Sequence, residues 1–590
     1  MSRQHSVSES TTVGSMSGAE AVVSELRQFG VTRVFVYPGG TIAPLVNACV
    51  AQGVAIEVMK SEQGAGFAAI GYAQASGQIS VVFVTSGPGV TNVITPLADA
   101  YFDSTPVLFV TGQVGRGDLG TRPNVRQRGF QEVPTVEICR PISKVAVQPL
   151  SEETVVPDVR AALLSLTSGR PGPAVLDFPM DLQQARLPHA ATTRNSAPPN
   201  DQAESIDASQ VSEVARVFAT AQRPVILLGH GAKTDCDARD LQVLSERFGA
   251  CVVASLRGVG TLATTHPRYF GYIGHTGNFA ANRVVHESDL LLVLGSRLDI
   301  RQTGTEVKRF APEAKVILVD IDQQELAEPR VAVWKSIECR ASVFVRELLA
   351  ASEGLTCEGT DDKWIAEMRD LRDARLDDVP SSASSAGVEP RNLIDCLGQS
   401  LPQNQDVVVT TGVGLHQQWA ARHLDFGPGA ASLLTSAGHG TMGFDLPAAA
   451  GAAIAKPEAT VVCLVGDGSL LMNIQELAAV AERSLNVKVV VFNNGRLGIV
   501  SQFQNLRWGS DPTTGGFKSP DFCAVANAFG IQSVRVEEDA DVQGALRKCF
   551  SQRGPFLLDV AIPAAADVVP MMLAGQAMNE MWMGEKPPAQ

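Results

Sequence analysis

Short apolar runs recur along the chain: Val34-Phe35-Val36, Val81 to Val84, Val225 to Leu228, Leu290 to Leu294, Val316 to Val319, Val407 to Val409, Val461 to Val465 and, broken only by Lys488, Val487 to Phe492. None alternates apolar with polar residues, so each reads as a strand buried on both faces, the pattern of parallel sheets covered by helices. Stretches with helical spacing separate them. Between the last two runs, Leu470, Leu471, Ile474, Leu477 and Ala478 are expected on a single helix. Two polar, proline-bearing segments, 187–206 and 376–390, interrupt the alternation. At 590 residues the chain exceeds what one hydrophobic core organises. The expected architecture is α/β: three doubly wound parallel-sheet domains at 17–186, 207–352 and 389–575. Residues 1–16 are expected as a disordered tail, 187–206 and 353–388 as linkers, and 576–590 as a C-terminal tail.

In a βαβ unit both parallel strands end on the same sheet edge, which is where open α/β sheets bind ligands. The run ending at Val465 is broken by Gly466-Asp467-Gly468, and the run ending at Phe492 passes into Asn493-Asn494-Gly495. Asp467 and Asn494, 27 positions apart (494 − 467), are therefore expected side by side. A carboxylate and an amide carbonyl are hard oxygen donors, suited to Mg²⁺ whose remaining ligands are water and phosphate oxygens. Gly-Asp-Gly alone would be a strand-to-helix turn; its pairing with Asn493-Asn494 is what argues for a cofactor.

Other strand ends carry chemistry too. Tyr37-Pro38-Gly39-Gly40 and Thr85-Ser86-Gly87-Pro88-Gly89-Val90-Thr91-Asn92 are junctions rich in residues that let backbone approach a ligand. Between them Glu62 opens a helix of small and apolar residues. Desolvation there would raise a carboxylate pKa and let it share a proton with a ring nitrogen; complementing the helix dipole is the plainer role. Farther on, Gly229-His230-Gly231 follows one strand, Gly295 to Gly304 another, and Asp320-Ile321-Asp322 a third. A strand-ending acid can hold a ribose hydroxyl and arginines a diphosphate, or these can be buried structural charges.

Composition narrows the partners. The formal charge of −14 argues against nucleic acid or an anionic membrane, though not against a phosphorylated cofactor held by backbone amides and a metal. The ten cysteines contain no CxxC pair, so neither a zinc site nor a disulfide framework is expected. No apolar run approaches a membrane span, and the first 16 residues lack the apolar centre of a signal peptide, which makes the cytoplasm the default location.

The stretch 461–502 resembles the signature of thiamine-diphosphate (ThDP) enzymes, GDG followed one helix and one strand later by NN. SEQGAGFAAIGYAQASG with TSGPGVTN, GSRLDIRQTG, VDID and TSAGHGTMGFDLPAAAGA are similar to segments of acetolactate (acetohydroxyacid) synthases, in order along most of the chain. The resemblance implies that Asp467, Asn494 and the Arg496 carbonyl hold the metal, and that Glu62 bonds N1′ of the aminopyrimidine. Gly39, Gly40, Gly87 and Asn92, with Val413, His416, Gln417, Gly440, Met442, Gly466, Gly468, Ser469 and Val500, are implied to bind the cofactor. Of these, His416 and Gln417 contact the diphosphate, while the Gly440 carbonyl and Met442 amide meet the aminopyrimidine edge. FAD is implied at Arg170, Gly277, Arg297, Asp299 and Asp320, and substrate at Phe130, Gln131, His275, Arg301, Ile499 and Phe503.

The implied reaction is decarboxylation of a 2-oxo acid such as pyruvate and addition of the acetyl unit to a second carbonyl. In such enzymes the site forms between domains of two subunits, which implies a homodimer or homotetramer; a small regulatory subunit is left open. The sequence departs from the family where the acceptor sits: Phe503 replaces a Trp, His275 a Met, His439 a Leu, Asp445 a Gly and Ser61 a His. An acceptor other than a 2-oxo acid, such as a keto-sugar or other ketone, is the alternative these changes raise, and a flavin-dependent pyruvate oxidase a further one.

Overall fold

The computed structural model describes residues 16–119, 125–188, 206–357, 359–374, 386–514 and 517–584. The tail expected at 1–16 and the linker expected at 187–206 lie almost wholly outside the described residues. Three sheets, each of six parallel strands, carry the fold. The first is built from Arg33–Val36, Ala55–Val58, Ser80–Val84, Val107–Gln113, Val145–Val147 and Ala174–Pro179. The central one comprises Pro224–Leu228, Cys251–Ala254, Tyr269–Tyr272, Leu290–Leu294, Lys315–Asp320 and Lys335–Glu338. The third comprises Val407–Thr411, Ser432–Thr435, Thr460–Gly466, Val487–Asn493, Gln532–Val536 and Phe556–Ala561.

Counted in chain order within each sheet, the first and third sheets share the spatial order 2-1-3-4-6-5, and the central sheet runs 6-5-4-1-2-3. Every apolar run of the sequence became a strand, and those in the sheet middles, such as Ser80–Val84 and Leu290–Leu294, are buried along their whole length. Parallel pairing requires crossover connections, and helices covering the sheet faces bury both sides.

The chain divides into two compact units, residues 1–69 with 79–198 and residues 70–78 with 199–590. The central and third sheets share the second unit because their apolar faces join one buried cluster. It contains Ile226, Leu228 and Leu292 from one sheet and Val409, Leu464 and Val490 from the other.

Three expectations need correction. The helix expected through Leu470 to Ala478 is two, Asp467–Met472 and Glu476–Glu482. The break is at Asn473, which is buried and donates its side-chain amide to the Gly443 carbonyl at 2.7 Å. The stretch 353–388, read as linker, holds the helix Asp362–Asp373, whose Trp364, Ile365 and Met368 sink into the central-sheet core. Finally, the residues read as a C-terminal tail return to that same core through Met578 and Met581, of which Met578 is fully buried. Among the described residues no helix is long and apolar enough to cross a membrane.

Met578→Ala should therefore behave as a core truncation, costing about 2–5 kcal/mol in the domain it completes. A clear fall in the thermal unfolding midpoint is expected; an unchanged midpoint would show the tail to be dispensable.

Candidate functional site

In the third sheet the strand order reverses between Val407–Thr411 and Thr460–Gly466, which pair directly. Loops leaving the carboxyl ends at such a point leave a crevice. Here they line a crevice with about 430 Å³ of empty space, part of it open to solvent. Its wall includes Val413, Gly414, Leu415 and His416 from one loop, Gly466, Asp467, Gly468 and Ser469 from the next, and Asn494, Arg496, Ile499 and Val500 beyond the neighbouring strand. Met442, Trp419 and Phe492 complete it. Gly466 pairs in register with Phe492, so Asp467 and Asn494 leave the sheet together.

Asp467 is 2 % exposed. Its Oδ2 accepts from the Gly495 amide at 2.9 Å and the Ser519 hydroxyl at 2.7 Å, and its Oδ1 from the Gly468 amide at 3.0 Å. Burial pushes its pKa up, and these hydrogen bonds pull against that. Asn494 Oδ1 accepts from the Arg496 amide at 3.2 Å. The Arg496 side chain donates to Ser501 at 2.6 Å and to Asp567 at 3.2 Å, so its backbone carbonyl is what it offers a cation. Among the described residues no group of three or more His, Cys, Asp or Glu could hold a metal. One carboxylate, an amide and a backbone carbonyl fit a hard divalent ion that takes its other ligands from phosphate oxygens and water.

The first sheet repeats the arrangement, its order reversing between Arg33–Val36 and Ser80–Val84. The loops that follow are stitched together by Thr41 and Thr85, whose hydroxyls lie 2.9 Å apart, and by the Ser86 amide donating to Thr41 Oγ1 at 3.0 Å. A Cβ on Gly39 would stand 2.3 Å from Thr85 Cβ, so only glycine allows this closeness. Gly40 opens the short turn Gly40–Ile42 that follows.

Glu62 begins the helix Glu62–Ser76 and is 8 % exposed; its Oε2 accepts from Asn92 Nδ2 at 3.1 Å. Ser61, one of the departures, accepts the Gly64 amide at 2.9 Å and so caps that helix. Gly87 has φ +62°, and a Cβ there would meet Gln131 Cβ at 2.7 Å. Phe130 beside it is 85 % exposed.

Comparison with known proteins follows the same plan. Residues 16–138 match the thiamine pyrophosphate enzyme N-terminal TPP binding domain, 211–348 the central domain, and 412–560 the C-terminal TPP binding domain. The chain is 38 % identical over 579 residues to the acetolactate synthase isozyme 2 large subunit of Escherichia coli K12, covering 96 % of this chain and 99 % of that one. The chain belongs to the acetolactate synthase family of thiamine-diphosphate enzymes. A probable chloroplastic acetolactate synthase 2 of Oryza sativa is 36 % identical over 596 residues, spanning 96 % of this chain and 86 % of its own. A probable acetolactate synthase large subunit of Methanocaldococcus jannaschii is 34 % identical over 581 residues, with 96 % and 95 % covered.

Of the third-domain residues that the acetolactate synthase resemblance nominates for the cofactor, Gln417 and Gly440 do not line the cavity. Gln417 is fully buried, donating to Thr435 Oγ1 at 2.6 Å and the Ser436 carbonyl at 2.8 Å. Gly440 has φ +75° and packs beside Val413. The acceptor-side departures do converge in part: the His275 and Phe503 rings meet edge to face at 5.2 Å, and Phe503 lies one helical turn beyond the cavity residue Ile499. His275 is further held by its backbone, which donates to the Arg301 carbonyl at 2.7 Å and accepts from the Met572 amide at 2.8 Å. His439 is exposed on the loop after the strand Ser432–Thr435.

The nominated flavin residues are engaged locally. Arg297 lies 3.3 Å from Asp299, Asp299 caps the helix Ile300–Thr303, and Asp320 accepts the Asp322 amide at 3.0 Å. Arg170 donates to Ser104 at 2.9 Å, and the Gly277 carbonyl accepts from Arg422 at 3.2 Å. Gly229 and Gly231 press directly on Gly295, so these turns are glycine-rich because two backbones touch.

Sequence reasoning missed Ser519, Trp419 and Leu415 as parts of the site, and treated Asp445 only as a departure. Ser519 sits 52 positions past Asp467 in a segment with no motif, so nothing local marks it.

Burial, with the Arg301 charge added, lowers the His275 pKa from 6.5 to about 4. Folding then releases a proton between those values, so stability contributed by this site is present above pH 6.5 and lost as pH falls towards 4. Over that window the melting temperature of the wild-type protein should drop more than that of His275→Gln; parallel curves would rule this out.

Proposed function

We propose that the protein is an acetolactate synthase: it decarboxylates pyruvate and joins the acetyl unit to a second 2-oxo acid, giving 2-acetolactate when that acid is pyruvate. The observation that carries this reading is the meeting of Asp467 and Asn494 on one cavity at the switch point of the third sheet, in a chain similar to acetolactate synthases from end to end. ThDP, when bound, supplies the electron sink for decarboxylation and carbon–carbon bond formation.

The chain's own residues supply the rest. Asp467, Asn494 and the Arg496 carbonyl would hold Mg²⁺, which neutralises the diphosphate, with the Gly468 and Ser469 backbone beside it. Glu62, largely buried and oriented by Asn92, would hold a proton at N1′ of the aminopyrimidine. Met442 and Leu497 furnish apolar wall that keeps water from the reacting carbons. Arg301 carries the positive charge for a substrate carboxylate, with Phe503 and His275 flanking.

We also infer FAD bound to the central domain through Arg297, Asp299 and Asp320, with Arg170 contributing, and assembly as a homodimer or homotetramer. The E. coli and M. jannaschii relatives are named large subunits; a small regulatory subunit is accordingly the partner to seek by copurification.

Glu62→Gln should lower kcat by about 10²-fold or more while the protein remains folded. Wild-type protein given pyruvate, ThDP and Mg²⁺ should form acetolactate, detected by mass spectrometry; failure to do so under conditions where ThDP binds would refute the assignment. The purified protein should show the two-band visible spectrum of an oxidised flavin, and a colourless preparation that is nonetheless active would remove FAD from the reading.

A further inference from the structure

Beneath the diphosphate end of the cavity lies a carboxylate that no step above uses. Asp445 opens the helix Asp445–Ala455 and is fully buried. Its Oδ1 accepts the Gly412 amide and His416 Nε2, the latter at 3.0 Å, and its Oδ2 accepts the Ser469 hydroxyl. Ser469 in turn accepts the Gly443 amide at 2.8 Å. One side chain therefore ties together the loop after Val407–Thr411, the first turn of the helix Leu415–His423, and the helix that starts at Asp467. These are the segments that meet where the third sheet reverses its strand order.

A carboxylate out of water is costly unless its lone pairs are filled, and here three donors fill them. Its consequence falls on His416. With Nε2–H committed to the carboxylate, the ring's orientation and proton placement are set. The other nitrogen, Nδ1, then lies against Gly414 and Gly466: a Cβ on either would meet it at 2.6 and 3.3 Å. Both glycines line the cavity.

We propose that Asp445 is a positioning residue for the cofactor's diphosphate: it aims His416 at the phosphate oxygens and fixes the two flanking loops, 412–416 and 466–469, at the spacing that receives them. This rests on the placement of ThDP proposed above. Asp445 touches neither substrate nor cofactor and acts through His416 and Ser469.

The test is a double-mutant cycle on the full-length protein, with the dissociation constant of ThDP in saturating Mg²⁺ read by calorimetry and by tryptophan fluorescence, since Trp419 lines the cavity. Asp445→Asn and His416→Gln should each weaken ThDP by about tenfold. The double variant should be no weaker than the weaker single one; the melting temperature without ligand is recorded beside it, since removing the carboxylate also leaves buried donors unpaired. Asp445→Gly, which removes the carboxylate and adds no new group, is the second variant and should behave as Asp445→Asn.

Losses that add, or a fall in unliganded melting temperature with ThDP affinity unchanged, would reduce Asp445 to a packing role and overturn the proposal. Wild-type protein that fails to bind ThDP would instead overturn the functional reading. Wild-type protein that binds it beside an unaffected Asp445→Asn would overturn this inference alone.

Discussion

Holding the Asp467 carboxylate out of water at the carboxyl edge of a parallel sheet is the constraint around which the third domain is built. The strand Thr460–Gly466 delivers it there, register with Val487–Asn493 brings Asn494 alongside, and amides of Gly468 and Gly495 with the Ser519 hydroxyl occupy its oxygens. Left alone, such a group carries the desolvation cost that raises its pKa. A divalent cation relieves that cost and in the same act provides a counter-charge for phosphate.

The first and third sheets share one strand order, so each presents a pair of loops at the same topological position. What differs is chemistry: hydroxyls, a carboxylate and Asn92 on the first, an oxygen-donor pair and glycine-rich backbone on the third. A single folding pattern thus carries two chemically unlike sets of loops. The central sheet has the other doubly wound order and a different kind of switch point, with Gly229 and Gly231 packed against Gly295.

Much of this was legible in the residues because short apolar runs admit few readings: every one named became a strand. The Asp467 and Asn494 pairing was legible for the same reason, since two adjacent parallel strands leave little freedom in where they end. Periodicity was blind to Asn473, whose bond to Gly443 splits a helix that the apolar spacing would have let run on. Composition misjudged 353–388, where polar residues mask the apolar stripe Trp364, Ile365 and Met368. His275 and Phe503 each stood out alone, but they are 228 positions apart (503 − 275), and no pattern in one dimension announces that their rings touch. Asp445 was noticed only as a replacement; its three donors come from segments that only the folded chain brings together.

The return of Met578 and Met581 to the core of the central sheet bears on how the molecule is made. The last strand of that sheet ends at Glu338, 240 residues before Met578 (578 − 338). At roughly 5–20 residues per second, a ribosome needs about 10–50 s to travel that distance. Throughout that interval the part of the core that Met578 and Met581 fill stays open, while the helix Asp362–Asp373 covers its share earlier. The nascent polypeptide is exposed to chaperones and to self-association there until Met578 and Met581 have emerged and packed.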